Sequence, residues 1–346
     1  MPRFGRYSQH SIQTRMAKKY LIIRFSSIGD IVLTTPVVRC LKKQTGAEVH
    51  FLTKKSFQTL LHPNPYVDKI FFFEKKIREV IPALKKENYD GVIDLHHNLR
   101  SWKIKRALSC PSFSFNKLNV EKWLLVNLKI NRLPDVHIVE RYLQAVSRLG
   151  VKNDGEGLDY FLPASPDELQ KSIQSKVPGI DFEKPFVVFA IGAAHQTKRP
   201  TQEMIIKICA SSTRPVILIG GKQEEAEGEF ITKAAAGSAI NTCGKLSLHE
   251  SAFLIKKAEK VISPDTGMMH IAAAFRKKII SIWGNTVPEF GMYPYLPEAE
   301  ERSFIFENKE LSCRPCSKIG YEKCPRGHFK CMKDLPLESI IEKINE

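Results

Sequence analysis

The sequence predicts an α/β protein built from two doubly wound domains that face each other across a central cleft. Three observations carry that expectation. Short β-rich runs alternate with amphipathic segments throughout the chain, the rhythm starts afresh near residue 185, and 346 residues exceed one ordinary core of about 150 residues. In the first half the runs are Tyr20–Phe25, Glu48–Leu52, Lys69–Phe73, Gly91–Leu95 and Ser112–Phe115, with helical patterns at 77–87 and 101–108. In the second they are Pro185–Ala190, Pro215–Ile219, Ala239–Asn241, Lys260–Ile262 and Lys278–Trp283, with helices at 203–211, 224–235 and 248–257. Strands that alternate with helices in this way form βαβ units around a parallel sheet. The expected division is a disordered basic tail over 1–18, a first domain over 19–165, a linker over 166–184 and a second domain over 185–346 that ends in a cysteine-rich loop. Met16 is an alternative start.

Charge and composition narrow the partners. The formal net charge is +16, which draws anionic partners: nucleic acid, nucleotide-linked substrates or an acidic membrane surface. Zinc-finger spacing, aromatic RNA-binding strands and a homeodomain helix are all missing from the sequence, and the basic residues are scattered, so nucleic acid is set aside. No apolar run reaches the roughly 18 residues of a membrane span. The tail carries Arg3, Arg6 and Arg15 without the apolar stretch of a signal peptide, so the eight cysteines are expected in a reducing cytoplasm.

The strongest local signal is Ser263-Pro264-Asp265-Thr266-Gly267-Met268-Met269-His270, set between an apolar run and a helix-forming stretch. A strand that turns directly into a helix presents free N–H groups and the positive end of the helix dipole, a seat for phosphate. His270 lies on the first helical turn and can face the same ligand. The turn after the first strand, Ser26-Ser27-Ile28-Gly29-Asp30, has one glycine where a dinucleotide fingerprint needs three, which argues against hydride transfer. Asp30 there is either a helix cap or a general base. Lys198, in the loop after the first strand of the second half, can neutralise a departing diphosphate, with His195 and Arg199 as rivals.

Three further groups are ambiguous from sequence. His96, His97, Asn98 and Arg100 close a strand of the first half; adjacent histidines point apart and chelate poorly, so a polar cluster for a sugar acceptor fits better. Cys313, Cys316, Cys324 and Cys331, with His328 nearby, resemble a structural zinc site with one wide spacing; packed reduced thiols are the alternative. The stretch Lys117–Ile130 interleaves Trp123 and aliphatics with lysines and reads either as core packing or as a seat on anionic lipid.

In this order, Ser26-Ser27-Ile28-Gly29-Asp30, Val92-Ile93-Asp94-Leu95, the Lys198 loop and Ser263–Gly267 with His270 resemble the lipopolysaccharide heptosyltransferases of glycosyltransferase family nine, over almost the whole chain. The resemblance implies a GT-B fold, with the acceptor on the first half and an activated sugar, ADP-heptose, on the second. It implies inverting transfer to a lipid A-linked acceptor at the inner face of the cytoplasmic membrane, with no cofactor and no catalytic metal. Asp30 becomes the base. Lys198, Thr266, Gly267 and His270 contact the donor phosphates, with Ser27, Gly29, Asp265 and His249 completing the donor set. One departure stands out: some members have a glutamate immediately after a Ser-Leu pair, where this chain reads Ser247-Leu248-His249-Glu250.

Overall fold

A computed structural model describes residues 17–346, so the expected tail lies outside the described residues up to position 16. Two parallel sheets organise the chain. The first holds β1 (Lys19–Ile23), β2 (Glu48–Lys54), β3 (Lys69–Phe73), β4 (Gly91–Asp94) and β5 (Ser112–Ser114) in the order β3-β2-β1-β4-β5. The second holds β6 (Val187–Ala190), β7 (Val216–Ile219), β8 (Ala239–Asn241), β9 (Lys260–Pro264), β10 (Lys278–Trp283) and β11 (Ser303–Glu307) in the order β11-β10-β9-β6-β7-β8. Every pairing is parallel, and each sheet reverses direction beside its own first strand, at β1/β4 and at β6/β9. Ligands of such sheets bind beyond the carboxyl ends of the strands at these reversals. Four loops therefore matter most: those after β1, β4, β6 and β9.

Helices cover both sheets: α1 (Ile28–Val32), α2 (Thr35–Thr45), α3 (Ile81–Lys85), α4 (Leu99–Leu108), α5 (Asn119–Leu128) and α6 (Ile138–Val146) in the first lobe. Then follow α7 (Pro166–Lys176), α8 (Gln202–Ser211), α9 (Glu225–Ala234), α10 (Leu248–Lys257), α11 (Gly267–Ala274), α12 (Lys330–Lys333) and α13 (Leu337–Asn345). Local chemistry sets their ends. Pro36 sits in the first turn of α2, and Gly46 closes it in the left-handed region at φ 63°, where a side chain would strain the backbone. At α10, Ser247 and Glu250 form a reciprocal capping box.

Two elements go beyond the expected pattern. The short helical segment within 166–184 is α7: Ser165 caps it, Leu169 and Ile173 are buried, and Ser172 and Lys176 both bind Glu250 of α10, so this helix packs against the second lobe. The strand β11 has no counterpart among the expected runs; it is an edge strand with no fully buried residue and with Ile305 exposed at its centre, so its burial signal is weak. One hydrophobic core runs through both lobes, joining Val37, Tyr142 and Leu158 to Leu169, Phe253 and Tyr295.

Candidate active site

Asp30 occupies the third position of α1 and reaches back to the turn before it. Its Oδ2 accepts the backbone N–H of Ser27 (3.1 Å) and the Ser27 hydroxyl (2.9 Å), while Oδ1 lies 2.6 Å from Nη2 of Arg24. The capping reading holds, and the capped carboxylate stands charged at a sheet reversal. Burial pushes the Asp30 pKa upward, but Arg24 and the Ser27 bonds outweigh it and leave the carboxyl below its usual value. It is ionised at neutral pH. Arg24 is held in turn by Tyr142 Oη (3.0 Å) and the Leu95 carbonyl (2.6 Å), so the ion pair is fixed from three sides.

Across the cleft, β9 ends at Pro264 and α11 begins at Gly267. Asp265 is not the cap of this helix. Thr266 is, and its hydroxyl pairs with Ser263 Oγ (3.1 Å) instead of with the helix, so no side chain satisfies the first-turn N–H groups of α11. Those donors and the helix dipole remain for an anion. Asp265 instead accepts Lys198 Nζ at 2.6 Å and Thr286 Oγ1 at 2.9 Å. The pair is largely shielded, with Lys198 15% and Asp265 13% exposed, and one tether leaves two ammonium protons of Lys198 uncommitted. The rival cations are occupied elsewhere: Arg199 pairs with Glu224 and Glu227, and His195 faces Glu322.

His270 lies between these groups. It is 2% exposed, and burial drops its pKa to about 4 against the opposing pull of Asp265 and Asp30, so the imidazole is neutral. Its Nδ1 is buried and has no partner. The lobes touch here: a Cβ built on Gly29 would lie 2.6 Å from His270 Cδ2 and 3.1 Å from Gly267 Cα, and one on Gly267 would lie 2.9 Å from Ile28 Cβ. Only glycine at both positions permits this approach. Two open cavities lie elsewhere. One of about 450 Å³ is lined by Val136, Gly291, Tyr293 and Ile305, the other of about 550 Å³ by Thr197, Arg199, Glu227 and Cys324, and neither includes Asp30 or His270.

The model of glycosyltransferase family 9 (heptosyltransferase) matches residues 77–323, well over half of the chain. The chain belongs to this family. Among its relatives is lipopolysaccharide heptosyltransferase 1 of Campylobacter coli, 26% identical over 78% of this chain and 84% of the relative. Among solved structures, the family 9 glycosyl transferase of Veillonella parvula superposes with a TM-score of 0.73 at 20% identity, covering 94% of this chain and 95% of that one. The E. coli heptosyltransferase WaaC with ADP gives 0.64 at 20% identity, covering 94% and 98%. The architecture is therefore GT-B, and the protein is a glycosyltransferase.

The remaining expected residues of this family 9 enzyme divide sharply. His96 packs against Phe25 with ring centroids 4.6 Å apart and the ring planes tilted by 52°; burial foremost, then the charges of Arg24 and Lys117, push its pKa down to about 4, and its Nδ1 has no partner. It belongs with the Asp30 group. His97 is turned away, bonding the Phe115 carbonyl through Nδ1 (2.9 Å), and the Asn98 amide caps α4 by accepting from Arg100 and Ser101 N–H. Arg100 lies over the Phe25 ring at 5.5 Å. His249 spans the lobes, donating from Nε2 to the Thr59 carbonyl and accepting the Tyr160 hydroxyl at Nδ1, each at 3.1 Å. Glu250 is consumed by its own helix cap and by Ser172 and Lys176, which leaves His249 as the residue of that pair turned to the other lobe.

The cysteines do not converge on a metal geometry. Cys313 Sγ lies 3.9 Å from His328 Nε2 and Cys316 Sγ donates to the Cys313 carbonyl, but no three of these ligand atoms come within 4.8 Å of one another among the described residues. Burial raises the thiols of Cys316 and Cys331, to about 11 and about 12, and all eight cysteines are unbridged. The set that does come together is Glu48, His50 and Glu87, and its lone pairs are taken by Lys19, Lys69 and Tyr89. Sequence reasoning missed Arg24, Tyr142 and Thr286. Arg24 did leave a trace: it is the one charge inside the apolar run Tyr20–Phe25.

Proposed function

We propose that this enzyme transfers a heptose with inversion from ADP-heptose to a lipid A-linked acceptor, using its own cations to stabilise the leaving diphosphate. The observation that carries the reading is the convergence at His270: an ionised carboxylate from one sheet reversal meets a lysine and an uncapped helix end from the other. The ADP in the E. coli WaaC structure supports the choice of donor base. In the proposed step an acceptor hydroxyl oxygen attacks the anomeric carbon from the face opposite the diphosphate. The bond from that carbon to the phosphate oxygen breaks, ADP leaves with the electron pair, and the hydroxyl proton passes to Asp30. With its lowered pKa Asp30 is a weak base, so the proton moves late, once bonding to the electron-poor carbon has acidified the hydroxyl. Lys198 and the first-turn N–H groups of α11 take up charge on the departing diphosphate, and Asp265 keeps the lysine aimed.

The acceptor's lipid tail calls for a membrane seat. Leu99 and Trp102 on α4, and Val120, Trp123 and Leu128 on α5, are exposed, and the exposed Lys103 and Arg106 flank Trp102 on α4. No helix among the described residues is long and apolar enough to cross a membrane, so contact through this face is the reading we favour. The test of the whole proposal is a thermal-shift comparison of ADP, UDP and GDP, followed by turnover of Asp30→Asn. ADP should stabilise most, and the variant should keep ADP binding while losing transfer. Stronger stabilisation by UDP, or normal turnover of the variant, overturns it.

A further inference from the structure

In the stretch Cys313-Arg314-Pro315-Cys316 the thiols do not gather around a metal position, but the arginine between them is heavily engaged. Arg314 is 8% exposed: Nε donates to the Gly284 carbonyl at 2.6 Å, Nη1 to the Asn308 carbonyl at 2.6 Å, and Nη2 to the Thr286 carbonyl and the Glu307 carboxylate, each at 3.0 Å. Gly284 and Thr286 belong to the turn that follows β10. The carbonyl between them, that of Asn285, accepts the Cys316 N–H at 3.1 Å, so every carbonyl of this turn is tied to one loop. On the far side of that loop, Lys129 at the end of α5 donates to the Cys313 and Pro315 carbonyls at 3.1 and 2.7 Å, which holds the arginine's own backbone in place.

The turn leads directly to the diphosphate cradle. Thr286 is 1% exposed and donates through Oγ1 to Asp265 Oδ2 at 2.9 Å, the same oxygen that receives Lys198 Nζ at 2.6 Å. The Lys198 loop is gripped by the same cysteine-rich segment, since Thr197 N–H donates to the Tyr321 carbonyl at 3.0 Å and Tyr321 N–H to Thr197 Oγ1 at 2.8 Å. Loop and turn also touch: a Cβ on Gly284 would lie 2.5 Å from the Thr197 carbonyl oxygen. Three carbonyls and a carboxylate thus surround one side chain. A planar guanidinium presents donors in that many fixed directions, whereas a lysine ammonium is a single point.

We propose that Arg314 is a positioning residue for the transfer step: it touches neither sugar nor diphosphate, but it sets the turn 284–286, through which Thr286 and Asp265 aim Lys198 at the departing diphosphate. The proposal rests on the reading of Lys198 as the diphosphate's cation and deepens it. Asp265 Oδ2 is the tether of the lysine, and Thr286 fixes where that oxygen stands. A displacement of about 1 Å at a reacting charge costs about 100-fold in rate, while ground-state attraction between a nearby ammonium and ADP changes far less over the same distance. Loss of Arg314 should therefore appear in turnover much more than in ADP affinity.

The experiment is a double-mutant cycle between Arg314→Lys and Lys198→Met in the whole protein, read by ADP release from ADP-heptose with the lipid A-linked acceptor and by calorimetric titration with ADP. Arg314→Lys alone should lower turnover about tenfold or more and leave ADP affinity within about threefold. On the Lys198→Met background the same change should lower turnover by less than about twofold, because no lysine remains to be aimed. Glu307→Gln is the control for stability: it removes the buried charge partner but leaves the turn carbonyls on the guanidinium, so the melting temperature should fall with turnover within about twofold. Thr286→Val, which keeps the branched shape and loses the hydroxyl, should reproduce the Arg314→Lys pattern, and it carries the test if the arginine variant does not fold. Effects of Arg314→Lys and Lys198→Met that simply multiply sink the proposal, as do unchanged turnover in Arg314→Lys or in Thr286→Val, ADP affinity that falls in step with turnover, and a Glu307→Gln variant that loses as much turnover as Arg314→Lys. If the unaltered protein neither binds ADP nor releases it, the glycosyl-transfer reading falls on its own account; if it does both and the cycle shows independent effects, only the role of Arg314 falls.

Discussion

Replacing Gly29 by alanine tests whether catalysis depends on the lobes meeting where they do. The added methyl would stand 2.6 Å from His270 Cδ2 and 3.1 Å from Gly267 Cα. Carbon atoms rest at about 3.5–4.0 Å, so the first contact is short by about 1 Å. His270 cannot swing aside, because its ring is 2% exposed and lies in a packed helix turn, and the second contact is to backbone. Relief therefore has to come from parting the lobes by about 1 Å, at a cost of about 1–3 kcal/mol as in other overpacked contacts. A displacement of that size between reacting groups costs about 100-fold in rate. The expected outcome is a melting temperature lower by a few degrees, turnover by ADP release down about 100-fold, and ADP affinity within about threefold of the original, since Lys198 and α11, the proposed diphosphate contacts, lie on the second lobe. Gly267→Ala meets Ile28 Cβ at 2.9 Å and Gly29 N at 3.0 Å and should behave alike. Because one separation relieves both contacts, the double variant should cost scarcely more than either single one. Full turnover in Gly29→Ala, or two single effects that simply add, would refute the idea that this glycine pair sets the working distance.

Other consequences can be checked separately. Lys198→Met leaves Asp265 with Thr286 alone, so ADP affinity should fall about tenfold or more and turnover by about 10²–10³, read by calorimetry and by ADP release; unchanged ADP binding removes Lys198 from the cradle. His270, at about 4, and His137, at about 3, are kept neutral chiefly by burial, whereas an unfolded histidine titrates near 6.5. Below pH 6.5 the unfolded chain therefore binds protons that the folded one refuses, and stability drains until the folded values are reached. For His270, the fall from 6.5 to about 4 amounts to about 3 kcal/mol, so the melting temperature should drop steadily between pH 6.5 and 4; a flat profile would contradict the burial. Asp30, held below 3.8, adds only a little at the lower end of that window, and most of its loss comes at lower pH. Finally, Trp102→Ser with Trp123→Ser should weaken binding to vesicles containing phosphatidylglycerol roughly tenfold or more while lowering the melting temperature only by a few degrees, because about half of each side chain already lies in solvent; unchanged vesicle binding removes this face as the seat.

Strands and helices with strong periodicity were readable from the residues alone. Lys69–Phe73, Ala239–Asn241 and Lys278–Trp283 match the observed strands end to end, because each is a short β-rich run between turn formers. The edge strand β11 was not readable, and the short helical segment that became α7 was assigned to the linker because Pro163, Pro166 and Pro178 crowd around it while only two of its apolar positions, Leu169 and Ile173, are buried. In the site, the order of motifs pointed to Asp30, Lys198 and the Asp265–His270 turn, since residues at strand ends in a doubly wound sheet fall at the reversals whatever the loops do in detail.

What the residues could not decide is which partner each of those groups would find. Asp265 was expected in the donor set and is bound to Lys198; Asn98 was expected in a sugar cluster and caps α4; Glu250 is spent on α7. Pairings of this kind join positions far apart in the chain, such as Arg24 with Tyr142 or Lys122 with Phe290, and their energies depend on distance and burial that exist only after the sheets have formed and the lobes have met. Sequence determined the two-lobed α/β frame and the loops that carry the chemistry, because strand and helix periods are local; the tertiary structure alone decided that Gly29 and Gly267 touch, that α11 is left uncapped, and that Arg141 is buried with two donors and nothing to bind.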